Sequence, residues 1–262
     1  MSACRAAPLE VLYRDEHLVA IAKPGGLLVH RTRLDRHATD FAVQRLRDQL
    51  ERQVLPVHRL DKATAGVLLF ALTAEVAARL GDAFAAGAVD KRYLAVVRGW
   101  PAPRATINHP LTRVADDYQP PAAEARARPA VTHLRRLAIA ELDVPTDRYP
   151  TSRFALLELE PQSGRRHQLR RHLKHAGYPI VGDTTYGQGR CNRLFRERFG
   201  CGRLLLAAVE LGLAHPVSGA RLTLTAPLDD ELAAVIAALG WRLAVPAGWL
   251  VADRVAIDEI LP

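Results

Sequence analysis

An aspartate set between two cations, and a run of basic residues containing no acid, are the stretches of this sequence best equipped for chemistry. The first is His58-Arg59-Leu60-Asp61-Lys62-Ala63-Thr64-Ala65-Gly66, directly ahead of the apolar run from Val67 to Leu72. Positive charge from Arg59 and Lys62 favours an ionised carboxylate, which suits a nucleophile or general base. The same spacing also serves an ordinary turn carboxylate in an ion pair, and composition alone gives that plainer reading more weight.

The second stretch, Gly164 to His175, holds Arg165, Arg166, Arg170, Arg171 and Lys174. With Ser163 as N-cap, helical spacing puts Leu169, Leu173 and Ala176 on one stripe and the cations, with His167, on the other side. A solvated face usually mixes signs, so this one calls for an external anion, and phosphate fits. His167, His172 and His175 fall on different sides of the helix, so no metal site is expected. A third stretch, Lys91-Arg92-Tyr93, offers a ring that could stack on a base, though a lone aromatic at a strand start is more often core. Lys23-Pro24-Gly25-Gly26 reads as a plain turn.

The elements that must position these groups are legible as periodicity. Branched apolar runs at Leu18–Ala22, Val67–Leu72, Tyr93–Val97, Phe154–Leu159, Leu204–Leu213 and Leu222–Leu224 read as strands. Glu158 and Glu160 alternate with Leu157 and Leu159, as on an antiparallel sheet with one solvated face. His215 to Gly219 has the chemistry of a hairpin connection. Helical stripes appear over Thr39–Glu51 (Val43, Leu46, Leu50), Thr73–Ala86 (Val76, Leu80, Phe84) and after Asp229 (Leu232, Val235, Ile236, Leu239). Strands and helices mix without strict alternation. The expected fold is therefore α+β, a mixed, largely antiparallel sheet flanked by helices, with two lobes around a central cleft. Arg113 to Pro129, rich in proline and charge, reads as a surface insertion.

Over 262 residues, Lys and Arg number 36 against 28 Asp and Glu, a formal +8 that favours a polyanionic partner, nucleic acid first. Cys4, Cys191 and Cys201 form neither CxxC pairs nor an even framework, which argues against disulfides and structural zinc. No signal-peptide core, membrane-length apolar run or phosphate-cradling glycine loop is present in the sequence. A cytoplasmic protein without a nucleotide cofactor is expected.

Taken in order, these stretches resemble the RluA-like family of pseudouridine synthases, with its pattern KPxGxxxH, HRLDxxTSG, KxYxAxV and GRxHQxRxHL. The matching segments are Lys23–His30 (with a shifted glycine), His58–Gly66, Lys91–Val97 and Gly164–Leu173, followed by Pro179–Asp183 and Tyr186-Gly187. The resemblance overrides the plainer reading of Asp61. It implies one catalytic unit over residues 1–262, with a core of about 9–240, a C-terminal extension at 241–262 and no separate N-terminal RNA-binding domain. Within it Asp61 would be the catalytic aspartate, Arg170 its salt-bridge partner and Tyr93 the aromatic against the uracil. His58, Arg59, Lys91, Arg165, Arg166, His167, Arg171 and Lys174 would contact RNA. The implied partner is RNA, tRNA first, with uridine 65 as target; no cofactor, metal, membrane or protein partner is implied, and a monomer is expected. The same reaction on ribosomal RNA or another tRNA uridine, or non-catalytic RNA binding, are the alternatives. Arg33-Leu34-Asp35 is a decoy, lacking the following Thr and Gly. Three positions depart from the family: Ala65, where serine is usual, and Cys191 and Ala207, where the nearest members tend to have histidine.

Overall fold

Each branched apolar run becomes a strand in the computed structural model, which describes residues 7–31, 39–114, 126–146 and 148–250. Within them the strands are β1 Glu10–Arg14, β2 Leu18–Lys23, β3 Leu55–Pro56, β4 Ala65–Ala71, β5 Asp90–Arg98, β6 Arg104–Asn108, β7 Val131–Leu142, β8 Ser152–Pro161, β9 Leu206–Ala214 and β10 Arg221–Thr225. The main helices are α1 Ala42–Leu50, α2 Ala74–Ala85, α3 Gln168–His175, α4 Gly189–Phe199 and α5 Asp230–Ala238. All ten strands join one sheet in the order β1-β2-β4-β9-β5-β8-β7-β6, with β3 beside the end of β4 and β10 beside β9. Strand β4 meets β9 in parallel, Ala65 against Ala207 and Gly66 against Ala208, and the other strand pairs are antiparallel. The mixed, largely antiparallel α+β sheet expected from periodicity is the one found.

Side chains alternate across this sheet, so each half of it carries two apolar layers. In the half around β5, β8 and β9, Leu94, Leu156 and Val209 pack against α4 and α5, while Val97, Leu157 and Leu206 pack against Leu169 and Leu173 of α3. In the half around β2 and β4, Leu69 packs on α2 and Phe70 on α1. Helices α1 and α3 thus cover one side of the sheet, each over its own half, and the loop carrying Asp61 enters where the halves meet. The expected helical stripes are buried at Leu46, Val76, Leu80, Leu232, Val235 and Ile236.

Strands β1, β3, β6 and β7 and helix α4 have no counterpart among the expected elements, and for β7 and α4 the reason is visible. A bulge between Arg136 and Ala138 breaks the period of two in β7. Helix α4 buries Cys191, Leu194 and Phe195 among four arginines, too narrow a stripe to stand out. The expected insertion leaves and returns through reciprocal backbone bonds between Leu111 and Arg128; its residues 115–125 lie outside the described residues, as do Arg33-Leu34-Asp35, Cys4 and positions 251–262 of the expected C-terminal extension.

Gly66 is the position at which the two halves of the sheet touch. Its φ is +115°, and a Cβ there would lie 2.0 Å from the Ala208 carbonyl oxygen. Strand β4 and the loop before it can approach β9 only without a side chain. Gly66→Ala is expected to lower unfolding free energy by about 3 kcal/mol, measured by urea denaturation; wild-type stability in that variant would overturn the close-approach account.

Candidate active site

Asp61 sits in the loop between β3 and β4, where its carbonyl accepts from the Thr64 amide at 3.0 Å. The next carbonyl, of Lys62, accepts from the Gly26 amide at 2.8 Å and from Lys23 Nζ at 3.2 Å. Lys23 is almost fully buried and donates also to the carbonyls of Pro24 and Leu27, both at 2.8 Å. Burial, reinforced by the Arg203 charge and partly opposed by Asp61, pulls its pKa down to about 7. The stretch read as a plain turn is therefore a brace for the Asp61 loop, made by a side chain whose three donors each meet a carbonyl.

Across the cleft, α3 presents Arg170. Its Nη1 donates to Asp61 Oδ2 at 3.2 Å, while Nε and Nη2 form a fork on Asp183, at 2.7 and 2.8 Å. Asp183 is 2% exposed, and its Oδ1 also accepts from the amides of Thr185 and Tyr186. Burial raises its pKa, but the bonds from Arg170 and from those amides outweigh burial and hold it below the ordinary carboxylate value. Asn192 of α4 fixes the segment by accepting from the Gly182 amide and donating to the Asp183 carbonyl. One guanidinium thus serves two carboxylates, and the group of three carries a net negative charge whose exposed end is Asp61.

That end opens into a cavity of about 230 Å³ lined by Asp61, Tyr93 and Leu206 and by five cations: Arg59, Lys91, Arg165, Arg166 and Arg170. The volume is below the roughly 300–1,000 Å³ of small-molecule pockets, a scale that suits one planar base. Tyr93 lies on β5 beside a bulge at Arg92 that resets its register against β9. Burial, and then the negative charge of Asp61, push its phenol pKa well up, so it remains a neutral ring wall. His167 borders the same cavity in a left-handed conformation, φ 55°, which costs a non-glycine residue roughly 1–3 kcal/mol. Its Nδ1 lies 3.1 Å from the Tyr186 hydroxyl and its Nε2 3.7 Å from Asp61 Oδ1. Burial lowers its pKa, Arg170 and Arg166 add to that, and Asp61 opposes them, so the ring is biased to the neutral form.

Residues 17–175 match the model of a family described as RNA pseudouridylate synthase. The chain belongs to that family. It is 45% identical over 238 residues to a tRNA pseudouridine synthase C of Vibrio cholerae, covering 89% of this chain and 97% of the relative. It is 48% identical over 242 residues to the same-named protein of Pectobacterium carotovorum, covering 91% of this chain and 64%, just under two thirds, of that longer relative. Among solved structures, human RNA Pseudouridylate Synthase Domain Containing 4 superposes with a TM-score of 0.66 at 26% identity, covering 88% of this chain and 93% of that one. Human RNA Pseudouridylate Synthase Domain Containing 1 gives a TM-score of 0.64 at 26% identity over 84% of this chain and 83% of that one.

In this family member the tertiary structure gathers Asp61, Arg170, Tyr93, Arg59, Lys91, Arg165, Arg166 and His167 around one cavity. It sets the other three expected residues elsewhere. His58 stacks on Phe84, and its Nε2 accepts from the Leu69 amide at 2.9 Å, extending the β3–β4 ladder. Burial, with the Lys91 charge, lowers its pKa to about 4, which favours a neutral ring bonded to the backbone outside the cavity lining. Arg171 donates to the carbonyl and hydroxyl oxygens of Thr112, anchoring the near end of the insertion. Lys174 lies over the Tyr186 ring at 5.9 Å. Arg170 was grouped with the cations awaiting an external anion; it is 8% exposed and its anions are internal.

Helix α3 begins at Gln168, not after Ser163, because the buried Gln168 amide replaces the expected cap. Its oxygen accepts from the Ser163 hydroxyl and the Arg165 amide, and its nitrogen donates to the Val131 carbonyl and the Thr132 hydroxyl. His172 donates from Nε2 to the His109 carbonyl, so neutral Nδ1 accepts from Thr132. Asp183 and Lys23 fall in stretches that match the family pattern, but spacing assigns them no role; two acids for one buried arginine is not a pattern that spacing reveals. The departures at Ala65 and Ala207 lie opposite each other in the parallel pair, and Cys191 is buried with Sγ 3.1 Å from Gln188 Oε1.

Asp183→Ala should cost about 3–5 kcal/mol, since it leaves a buried guanidinium short of its anchor. For a carboxylate with a depressed folded pKa, the stabilisation is complete above the unfolded value of roughly 4 and is lost as pH falls through the folded value. The stability gap between wild type and Asp183→Ala, followed by thermal melts, should therefore be constant near neutrality and narrow below about pH 4. A gap independent of acid would contradict the charge pairing.

Proposed function

We propose that this protein isomerises a specific uridine of tRNA to pseudouridine, with uridine 65 as the target. The observation that carries the reading is Asp61, tied to Arg170 and open to a base-sized cavity walled by Tyr93. The relatives named tRNA pseudouridine synthase C support the choice of tRNA. In the reaction the N1–C1′ bond breaks, the uracil turns, and C5 joins C1′; the proton on C5 leaves and one is gained at N1, so atoms and electrons balance without a redox partner. An ionised Asp61 can attack a carbon centre or take a proton from the ribose, and both routes need the same aspartate kept charged beside Arg170.

The target base must leave its stack, at a cost of a few kcal/mol. Stacking on Tyr93 and phosphate contacts from the cationic rim offset this cost. We read residues 1–262 as one catalytic unit acting as a cytoplasmic monomer, with no metal or redox cofactor in the chemistry; no described helix is long and apolar enough to cross a membrane.

Asp61→Asn should reduce pseudouridine formation at least a thousand-fold while tRNA affinity is retained, because the charge removed faces Arg170 and not a phosphate. Nucleoside mapping of tRNA treated with each protein reads the first quantity and filter binding the second; near-normal turnover in the variant would sink the assignment. Arg165→Ala should weaken tRNA binding and reduce the slope of log Kd against log salt by about 1. An unchanged slope would remove Arg165 from the phosphate contacts.

A further inference from the structure

Both oxygens of Asp61 have a nitrogen facing them. Oδ2 accepts from Arg170 Nη1, while Oδ1 faces His167 Nε2 at 3.7 Å, longer than a hydrogen bond but close enough for an N–H dipole to orient a carboxylate. The two approaches share an origin in Asp183. Its carboxylate forks Arg170, and its Oδ1 also accepts from the amide of Tyr186, whose hydroxyl lies 3.1 Å from His167 Nδ1. The Tyr186 ring is fixed further by Arg170, whose Cζ lies 5.1 Å from its centre, and it stands edge-on to the imidazole at 74°.

The backbone is strained where it places this imidazole. Among the described residues, Glu51 and His167 are the non-glycine residues with positive φ. Glu51 closes α1, where a left-handed residue is common. His167 opens α3, where an extended, capping residue is the rule, as Thr73 and Asp229 are for α2 and α5. Its side chain makes no capping bond, so the strain is not repaid in helix stability. What the turn achieves is to aim the ring at Tyr186 and Asp61.

We infer that His167 is a positioning residue for Asp61: the Tyr186 hydroxyl donates to Nδ1, which fixes the tautomer that turns Nε2–H toward Asp61 Oδ1 and keeps that oxygen aimed into the cavity. The carboxylate itself favours this tautomer, because in the other a bare Nε2 lone pair would face a negative oxygen. Burial opposes a charged ring; of the charges facing it, Asp61 and Asp183 favour protonation and Arg170 and Arg166 resist it, and the outcome is a lowered pKa. Acid undoes the arrangement. A protonated His167 would close on Asp61 as an ion-pair partner and withdraw Oδ1 from the substrate.

The kinetic part of the test rests on the proposed tRNA reaction, and the spectroscopic part does not. In long-range 15N–1H NMR spectra of the free enzyme, with the His167 signals assigned by their loss in His167→Gln, Nε2 should carry the proton and Nδ1 should not, and Tyr186→Phe should shift Nδ1. The opposite tautomer would overturn the inference whatever RNA is modified. On a tRNA transcript, His167→Asn suits the left-handed backbone but is too short to reach Asp61, whereas His167→Gln sets an amide N–H close to the place of Nε2. His167→Asn should lower kcat about a hundredfold with KM and Kd retained, and His167→Gln should recover most of that loss. The acid limb of the wild-type kcat profile, below the ordinary histidine value of 6.5, should move to lower pH in His167→Gln. Raised Kd with kcat retained would make His167 an RNA contact, and recovery by Asn but not by Gln would make it a backbone turn; either result, or an unmoved acid limb, overturns the positioning role. The expected tautomer in a wild-type enzyme that forms no pseudouridine in tRNA would support the positioning of Asp61 and refute the proposed reaction alone.

Discussion

A buried guanidinium divided between two carboxylates is the interaction on which the rest of this structure depends. Arg170 is anchored by the fork to Asp183 and spends its remaining nitrogen on Asp61. A buried arginine with one partner would be neutralised by it, and the pair would be inert. With two acids, the fixed one satisfies the guanidinium's fork while the other meets its remaining nitrogen at the mouth of a cavity. The cost of burying three ionised groups is offset because Asp183 also receives two backbone amides, so few lone pairs or protons are left without a partner.

The fold supplies this arrangement from five stretches of chain, around Lys23, Asp61, Tyr93, Arg170 and Asp183. The Asp61 loop hangs from β4, braced by Lys23 of β2, and Arg170 rides on α3, whose Leu169 and Leu173 fix its roll against the sheet. Asp183 is held by Asn192 of α4, and the Tyr93 ring wall comes from β5. The closeness of β4 and β9 at Gly66 sets the spacing between the loop and the wall. Such a site tolerates little sliding between the halves of the sheet, which explains why so many of its polar contacts are side chain to backbone.

Charge is sorted by depth around the cavity. Arg170 and Lys23 are buried with their acceptors around them, and Arg59 and Lys91 line the cavity. A helix that looked uniformly cationic by spacing therefore has separate duties along its length: Arg170 inward, Arg171 toward Thr112, and Arg165 and Arg166 at the cavity.

The order of the strands' apolar runs, the stripes of α1, α2 and α5, the antiparallel character of the sheet and the basic balance were legible from sequence, because they follow from side-chain periodicity and composition, which are local. The resemblance also marked Asp61, Arg170 and Tyr93. Only the tertiary structure decided that Asp183 shares Arg170, that Lys23 braces the loop, that His58 is a neutral strut and that α3 starts at Gln168. Each of these is a tertiary contact that side-chain periodicity does not encode, whether it spans 39 residues as from Lys23 to Lys62 or 13 as from Arg170 to Asp183, and the energy of a buried polar group depends on which partners surround it. Sequence spacing records which residues can form a face; it does not record what that face will meet.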